Sequence, residues 1–179
     1  MQQTSRRWVQ IGMLSMALSV GMTAQADVID WLGIEQRPNL EGLKKVYAGA
    51  GLSNAFINTY AESPTPYGNV YAKVGQFYDG NGLAGQLGWR YPYAYTGVDR
   101  NGYYLGGFVG HVEADSFDGD DYNRLGAGLE LSYIWMNAVR AGSVSMAVAA
   151  GEEKTDSRGT KRRATPMVLF SFTFGLGVL

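Results

Sequence analysis

The stretch that decides the fold is residues 124–135, RLGAGLELSYIW. Its side chains alternate strictly between two faces. One face carries Leu125, Ala127, Leu129, Leu131, Tyr133 and Trp135, and the other carries Arg124, Gly126, Gly128, Glu130 and Ser132. This period of two predicts a strand with one apolar side. The stretch exceeds the roughly 5–6 residues typical of soluble sheets and matches the roughly 9–11 that a tilted strand needs to cross a bilayer.

The same alternation recurs along the chain. In the last segment the apolar face is Val168, Phe170, Phe172, Phe174, Leu176 and Val178. We predict seven strands: 46–53, 69–78, 83–93, 103–113, 124–135, 142–150 and 168–178. Tyrosine and tryptophan prefer the headgroup level of a membrane, so those near strand ends are predicted to form a girdle. They are Trp89, Tyr91, Tyr93, Tyr133 and Trp135.

The N-terminus predicts export. Residues 1–26 combine Arg6 and Arg7, an apolar stretch and the ending Ala-Gln-Ala, which is typical of a cleaved signal peptide. Without it, 13 Lys+Arg face 16 Asp+Glu, a net charge of −3 that argues against nucleic acid as a partner. The absence of cysteine excludes disulfides and thiolate metal sites. A chain with 25 glycines and no long apolar run after the signal is predicted to be all-β.

The signal, the chain of hairpins and the aromatic terminal strand together resemble the small eight-stranded outer-membrane β-barrel proteins of Gram-negative bacteria. The resemblance covers about residues 45–179 and implies an antiparallel up-and-down transmembrane β-barrel. It further implies outer-membrane lipids and the outer-membrane assembly machinery as partners, with both chain ends in the periplasm. The family usually ends on an aromatic residue, whereas this chain ends on Leu179.

Eight strands require one more than the seven predicted. The N-terminal segment 27–44 contains DVIDWLGI, which fits either a first strand within residues 28–34 or a short amphipathic helix. Alternation of the connections places the basic 151–165 link and the acidic 114–121 link outside the cell. The link 54–68, with Pro64 and Pro66, then comes out long and periplasmic, against the rule that inner turns are short.

A barrel of eight strands is just wide enough for side chains to fill it. Since buried charges need partners, a lumen of paired charges is predicted, with a narrow gated pore as the alternative. The predicted lumen residues are Lys73, Arg90, Glu113, Arg124 and Glu130.

Three further sets of residues suggest chemistry. His111 with Asp115 and Ser116 contains the groups of a nucleophile and its base. Some small outer-membrane barrels are lipid A-modifying enzymes, so the resemblance implies such an enzyme as an alternative function. The acidic DSFDGDD stretch fits a solvated turn or a calcium site. A basic cluster either pairs with lipopolysaccharide phosphate or keeps the loop polar. Its members are Lys154, Arg158, Lys161, Arg162 and Arg163.

The sequence therefore predicts a non-catalytic outer-membrane β-barrel with a structural or surface-interaction role, without metal or cofactor. A soluble periplasmic β-barrel that binds an apolar ligand is a further alternative.

Overall fold

A computed structural model describes residues 40–78, 82–96, 100–117, 120–155, 159, 161–162 and 166–179; at 114–117, 120–122 and 162 it describes the backbone alone. The strands are β1 (Tyr47–Ser53), β2 (Phe56–Thr65), β3 (Gly68–Phe77), β4 (Leu83–Tyr95), β5 (Gly102–Phe117), β6 (Asp120–Met136), β7 (Arg140–Gly151), β8 (Lys154–Thr155), β9 (Lys161–Arg162) and β10 (Met167–Gly177).

Eight of these strands form a closed antiparallel barrel, with β1 to β7 in chain order and β10 closing the circle between β7 and β1. Each strand pairs with its sequence neighbour, so the connections run up and down. The predicted all-β, eight-stranded antiparallel barrel is confirmed. The remaining two strands, β8 and β9, pair with each other in the connection between β7 and β10.

The barrel strand that was absent from the seven predicted strands is β2. The barrel is complete with β2, which lies inside the segment that was predicted to be a long link, while residues 28–34 lie outside the described residues. The alternation of β2 was hidden because most of its outward residues after Ile57 are small or polar, whereas aromatics point inward: Phe56 and Tyr60 are buried, and Thr59 and Ala61 are exposed. Pro64, which cannot donate a ladder hydrogen bond, further obscured it.

This strand also replaces the link 54–68, which was predicted to be long. Residues 54–55 and 66–67 are short turns at opposite ends of the barrel. We call the end that holds Lys45 and Leu179 the termini end, since Lys45 N donates a hydrogen bond to Leu179 O there. The opposite end, which holds the turn 54–55 and the connections 78–82, 118–119 and 152–166, is the loop end.

The apolar faces predicted from alternation point outward. Leu129 is 77% exposed and Phe170 is 56% exposed, whereas Glu130 and Thr173 on the opposite faces are buried. Inward residues form apolar clusters toward both ends. Tyr47, Tyr104, Ile134, Met136 and Ala141 pack at the termini end, and Phe56, Phe77 and Ala84 pack at the loop end. Polar side chains fill the space between these clusters.

Candidate functional site

The centre of the barrel interior is an ion network around Arg90 of β4. Its Nε donates to Glu130 Oε1 at 2.7 Å, and its Nη1 lies 3.5 Å from Glu62 Oε2. The guanidinium also lies over the Tyr71 ring, 4.1 Å from the centroid. The side chains of all three charged residues are at most 3% exposed. A guanidinium this deeply buried needs such partners, because an unpaired charge there would be very costly.

Neighbouring strands complete the hydrogen bonding of this network. Arg90 Nη1 and Nη2 donate to the hydroxyls of Ser143 and Ser145 at 3.3 and 3.4 Å. Glu62 Oε1 accepts a hydrogen bond from Asn69 Nδ2 at 2.7 Å. The Ser143 hydroxyl in turn lies 2.8 Å from that of Thr173 on β10. Side chains from β2, β3, β4, β6, β7 and β10 thus meet across the lumen, so the network ties opposite walls of the barrel together.

Lys73 of β3 is a further buried cation near this network. It is 3% exposed, its Nζ donates to Ser171 Oγ at 3.3 Å, and it lies 4.9 Å from the Tyr71 ring centroid. Lys73 and Arg90 balance Glu62 and Glu130, so these four charges sum to zero. The cavity beside Lys73 and Ser171 has a volume of about 10 Å³, which is about the space of a single water molecule. The described interior is therefore filled at this level.

The space for these side chains depends on inward glycines. A Cβ atom on Gly88 would lie 2.3 Å from the Tyr71 ring, and one on Gly128 would lie 2.6 Å from the Phe108 ring. The Tyr71 and Phe108 rings therefore fill the space that a side chain at position 88 or 128 would need. Gly88 and Gly128 thus leave room for large side chains to cross a narrow lumen.

The remaining predicted lumen pair lies toward the loop end. Arg124 Nε is 3.5 Å from Glu113 Oε2, and the side chains are 6% and 38% exposed. The five predicted lumen residues thus separate into three locations: the Arg90–Glu130 pair, Lys73, and the Arg124–Glu113 pair. Sequence reasoning missed Glu62 and Asn69. Glu62 lies in the segment 54–68 that was predicted to be a link, and Asn69 directly follows that segment.

His111, the catalytic candidate, binds the neighbouring strand. Gly85 N donates to His111 Nδ1 at 3.0 Å, and the imidazole packs edge-on against Phe77 with ring centroids 5.9 Å apart. The same nitrogen lies 3.3 Å from Gly85 O, so both of these contacts of His111 are to the backbone of β4. The side chains of Asp115 and Ser116 lie outside the described part of the structure, so the catalytic arrangement stays a prediction.

The charged loops are described only in part. Lys154 Nζ binds Glu152 Oε1 at 2.7 Å, and this hydrogen bond lowers the pKa of the Glu152 carboxyl. Lys161 is exposed and pairs through its backbone with Thr155. The described part of the structure does not include Arg158, Arg163 or the side chain of Arg162. It also does not include the acidic side chains at 115–121. Among the described residues, no group of histidine and carboxylate side chains could hold a metal ion.

No helix of the described ranges is long and apolar enough to span a membrane.

Comparison with known proteins gives no relative on which to rest a function. No family model matches the chain, and no match is found among curated proteins or solved structures.

Proposed function

We propose that this protein is an integral β-barrel of the bacterial outer membrane that serves a structural or surface-interaction role and conducts no solute. The observation that carries the proposal is the reversal of polarity across the barrel wall: the outside is apolar while the inside holds buried charges. A soluble barrel would place these faces the other way round, whereas lipid stabilises this arrangement.

The apolar face runs around the circumference. Each of the eight barrel strands, β1 to β7 and β10, carries exposed aliphatic or aromatic residues. They are Leu52, Ile57, Val70, Val74, Leu87, Leu105, Val109, Leu125, Leu129, Val144, Met146, Val148, Val168, Phe170, Phe172 and Phe174. Monomeric soluble proteins rarely expose contiguous apolar patches beyond a few hundred Å². Because the apolar band runs around the whole barrel, the surroundings that suit it are a continuous lipid phase.

The height of the band fits a membrane. On β6 the outward residues run from Leu125 to Trp135, ten steps of about 3.3 Å each, or roughly 33 Å along the strand. A strand tilt of about 40° reduces this to a height of roughly 25 Å, which is the height of the apolar band in outer-membrane barrels.

Aromatic residues with polar atoms mark the termini end of the band. They are Tyr67, Trp89, Tyr93, Tyr103, Tyr133 and Trp135. Trp89 Nε1 donates to Tyr67 O at 2.8 Å, and the Tyr133 hydroxyl lies 3.0 Å from Thr96 Oγ1. Such rings prefer the headgroup level. Of the predicted girdle residues, Tyr91 differs in being 8% exposed, packed beside Trp89.

The lengths of the connections support an orientation with the termini end in the periplasm. The connections at that end are 66–67, 96–101 and 137–139. At the loop end 54–55 and 118–119 are short, but the longest connection, 152–166, lies there, and the longest strands, β5 and β6, are joined there. Short inner turns and long outer loops are typical of such barrels. This orientation places Lys154 and Lys161 outside, where phosphate groups of lipopolysaccharide are the partner that we propose for them.

A filled interior supports a sealed barrel. The ion network and its serines block the lumen, and the phenylalanines of the last strand point outward instead of lining an internal ligand cavity. The soluble apolar-ligand carrier therefore has no described cavity of its own at the barrel centre. The alternative of a lipid A-modifying enzyme depends on the side chains of Asp115 and Ser116, which lie outside the described part of the structure. No described contact of His111 favours it.

Two measurements test the proposal. Expressing cells are fractionated, and the membrane fraction is run on a gel with and without boiling. We expect retention in the outer membrane and a mobility shift on heating. Release by osmotic shock would exclude the membrane proposal. Purified protein in a planar bilayer should then show no steady conductance, and discrete, reproducible channels would contradict the sealed lumen.

A further inference from the structure

A pocket of about 360 Å³ lies at the loop end of the barrel. Residues of the β1–β2 turn, the end of β3, β5 and the start of β10 line it. Its volume is at the small end of the roughly 300–1,000 Å³ range of ligand pockets. It is far larger than the cavity of about 10 Å³ beside Lys73. The loop end thus offers room for a small molecule that the centre of the barrel does not.

The floor of the pocket is apolar and firmly packed. Val112 and Leu169 are 1% and 8% exposed and belong to a buried cluster with Tyr71 and Phe108. Ala55 and Met167 pack against the same cluster and also line the pocket. Since Ala55 and Met167 are only partly buried, they offer an apolar ligand body a hydrophobic surface that the buried cluster supports from below.

The wall contributed by the β1–β2 turn is held in place. Asn54 Nδ2 donates to Val168 O, and its Oδ1 accepts from Phe170 N, both at 3.0 Å. The Ser53 hydroxyl accepts hydrogen bonds from Ala55 N at 3.2 Å and Phe56 N at 3.0 Å. These contacts fix the turn against β10, so the pocket is formed before a ligand arrives and its ordering costs little on binding.

A β-bulge shapes the opposite wall. The β5–β6 pairing passes from His111↔Leu125 directly to Glu113↔Arg124, which leaves Val112 as an extra residue on β5. Bulges are frequent at barrel rims and next to sites, where they redirect side chains. Here the bulge combines a buried Val112 in the floor with a Glu113 side chain that is 38% exposed. Apolar floor and carboxylate therefore meet in one pocket.

Among the described residues that line this pocket, Glu113 carries the charge, and its carboxylate is partly exposed to solvent. The Arg124 side chain beside Glu113 is only 6% exposed, and the ion pair is long at 3.5 Å. No other described lining residue is charged. Tyr78, at the rim, is 59% exposed.

We propose that the pocket is a binding site for a small organic cation whose apolar body rests on the floor and whose ammonium group binds Glu113. The pocket is formed by residues of the loop end, and only the lipid that surrounds the protein in its test rests on the membrane proposal.

The methionines of the barrel give the experiment its internal controls. Met167 lines the pocket, Met146 lies on the outer face at 48% exposed, and Met136 is buried at the termini end. The full chain carries methyl-labelled methionine in lipid nanodiscs and is titrated with 2-phenylethylammonium. Phenylacetate, which has a similar body and the opposite charge, is the matched ligand. A Met167→Leu variant assigns the resonance.

We expect a saturable shift of the Met167 methyl with the ammonium compound and none with phenylacetate, while Met136 and Met146 stay unchanged. Glu113→Gln should weaken binding by about tenfold, as expected for a hydrogen bond to a charged group. Glu152→Gln, which removes a carboxylate outside the pocket lining, should leave it unaltered. Ala55→Phe should abolish the shift by filling the pocket.

The Met136 and Met146 resonances report whether each variant is folded. An equal shift of Met146 and Met167 would mean partition into lipid and overturn the proposal. So would a silent Met167, equal binding of phenylacetate, or unchanged binding in a folded Glu113→Gln variant.

Discussion

The buried network makes the substitution Arg90→Met a sensitive test of the interior. It leaves Glu62 and Glu130, which Arg90 contacts at 3.5 and 2.7 Å, without the cation that they share. Breaking a buried ion pair by removing one partner costs about 3–5 kcal/mol. A loss of about 4 kcal/mol in the free energy of unfolding corresponds to roughly a thousandfold in the folding equilibrium constant.

A second variant separates charge imbalance from lost packing. In Arg90→Met/Glu130→Gln, Lys73 and Glu62 remain and again sum to zero. We expect the double variant to regain a large part of the loss, so that the two substitutions are not additive. Arg140→Met is the control, because Arg140 is exposed on β7 and its replacement should change stability by less than about 0.5 kcal/mol.

The assay is reversible urea unfolding from lipid vesicles, followed by tryptophan fluorescence and by the mobility shift on unboiled gels. The reasoning is refuted if Arg90→Met costs less than about 1 kcal/mol, or if the double variant shows the simple sum of both single losses.

Two further substitutions test the outer face and the packing of the lumen. Leu129→Arg, in the middle of the apolar band, should lower vesicle stability by about 2–4 kcal/mol, whereas Leu83→Arg at the loop end should cost only about 0–1 kcal/mol; equal effects in the same unfolding assay would contradict a membrane-embedded band. Gly88→Ala should cost about 1–3 kcal/mol because its Cβ would lie 2.3 Å from the Tyr71 ring. Gly85→Ala on the same strand, with its nearest contact at 3.6 Å, should be close to neutral; similar melting curves for the two alanine variants would argue against the close packing.

Strands whose two faces differ most in polarity were predictable. In β6, β7 and β10, apolar residues at every second position point outward in the structure, as expected from the period of two. The missed strand, β2, has Thr59, Ala61 and Ser63 on its outer side, and these residues give no hydrophobic alternation. Local pattern alone was insufficient there, because closure of the barrel and pairing with β1 and β3 stabilise β2 as a strand.

The candidate site was predictable as residues but not as contacts. The alternation of side chains along each strand predicted that Arg90 and Glu130 both point into the lumen. The distance between them along the chain is 40 residues, and only the strand order and register bring them within 2.7 Å. Glu62 entered the network with the strand that sequence reasoning missed.

The sequence by itself determined which side of each regular strand is apolar, because side chains alternate across a strand whatever its neighbours are. It also determined that charges on the other side need partners. The tertiary structure decided which partners they find, since ion pairing depends on distances that barrel closure and register set. It likewise decided that a bulge and a short turn enclose a pocket at the loop end, a feature that no local pattern of residues encodes.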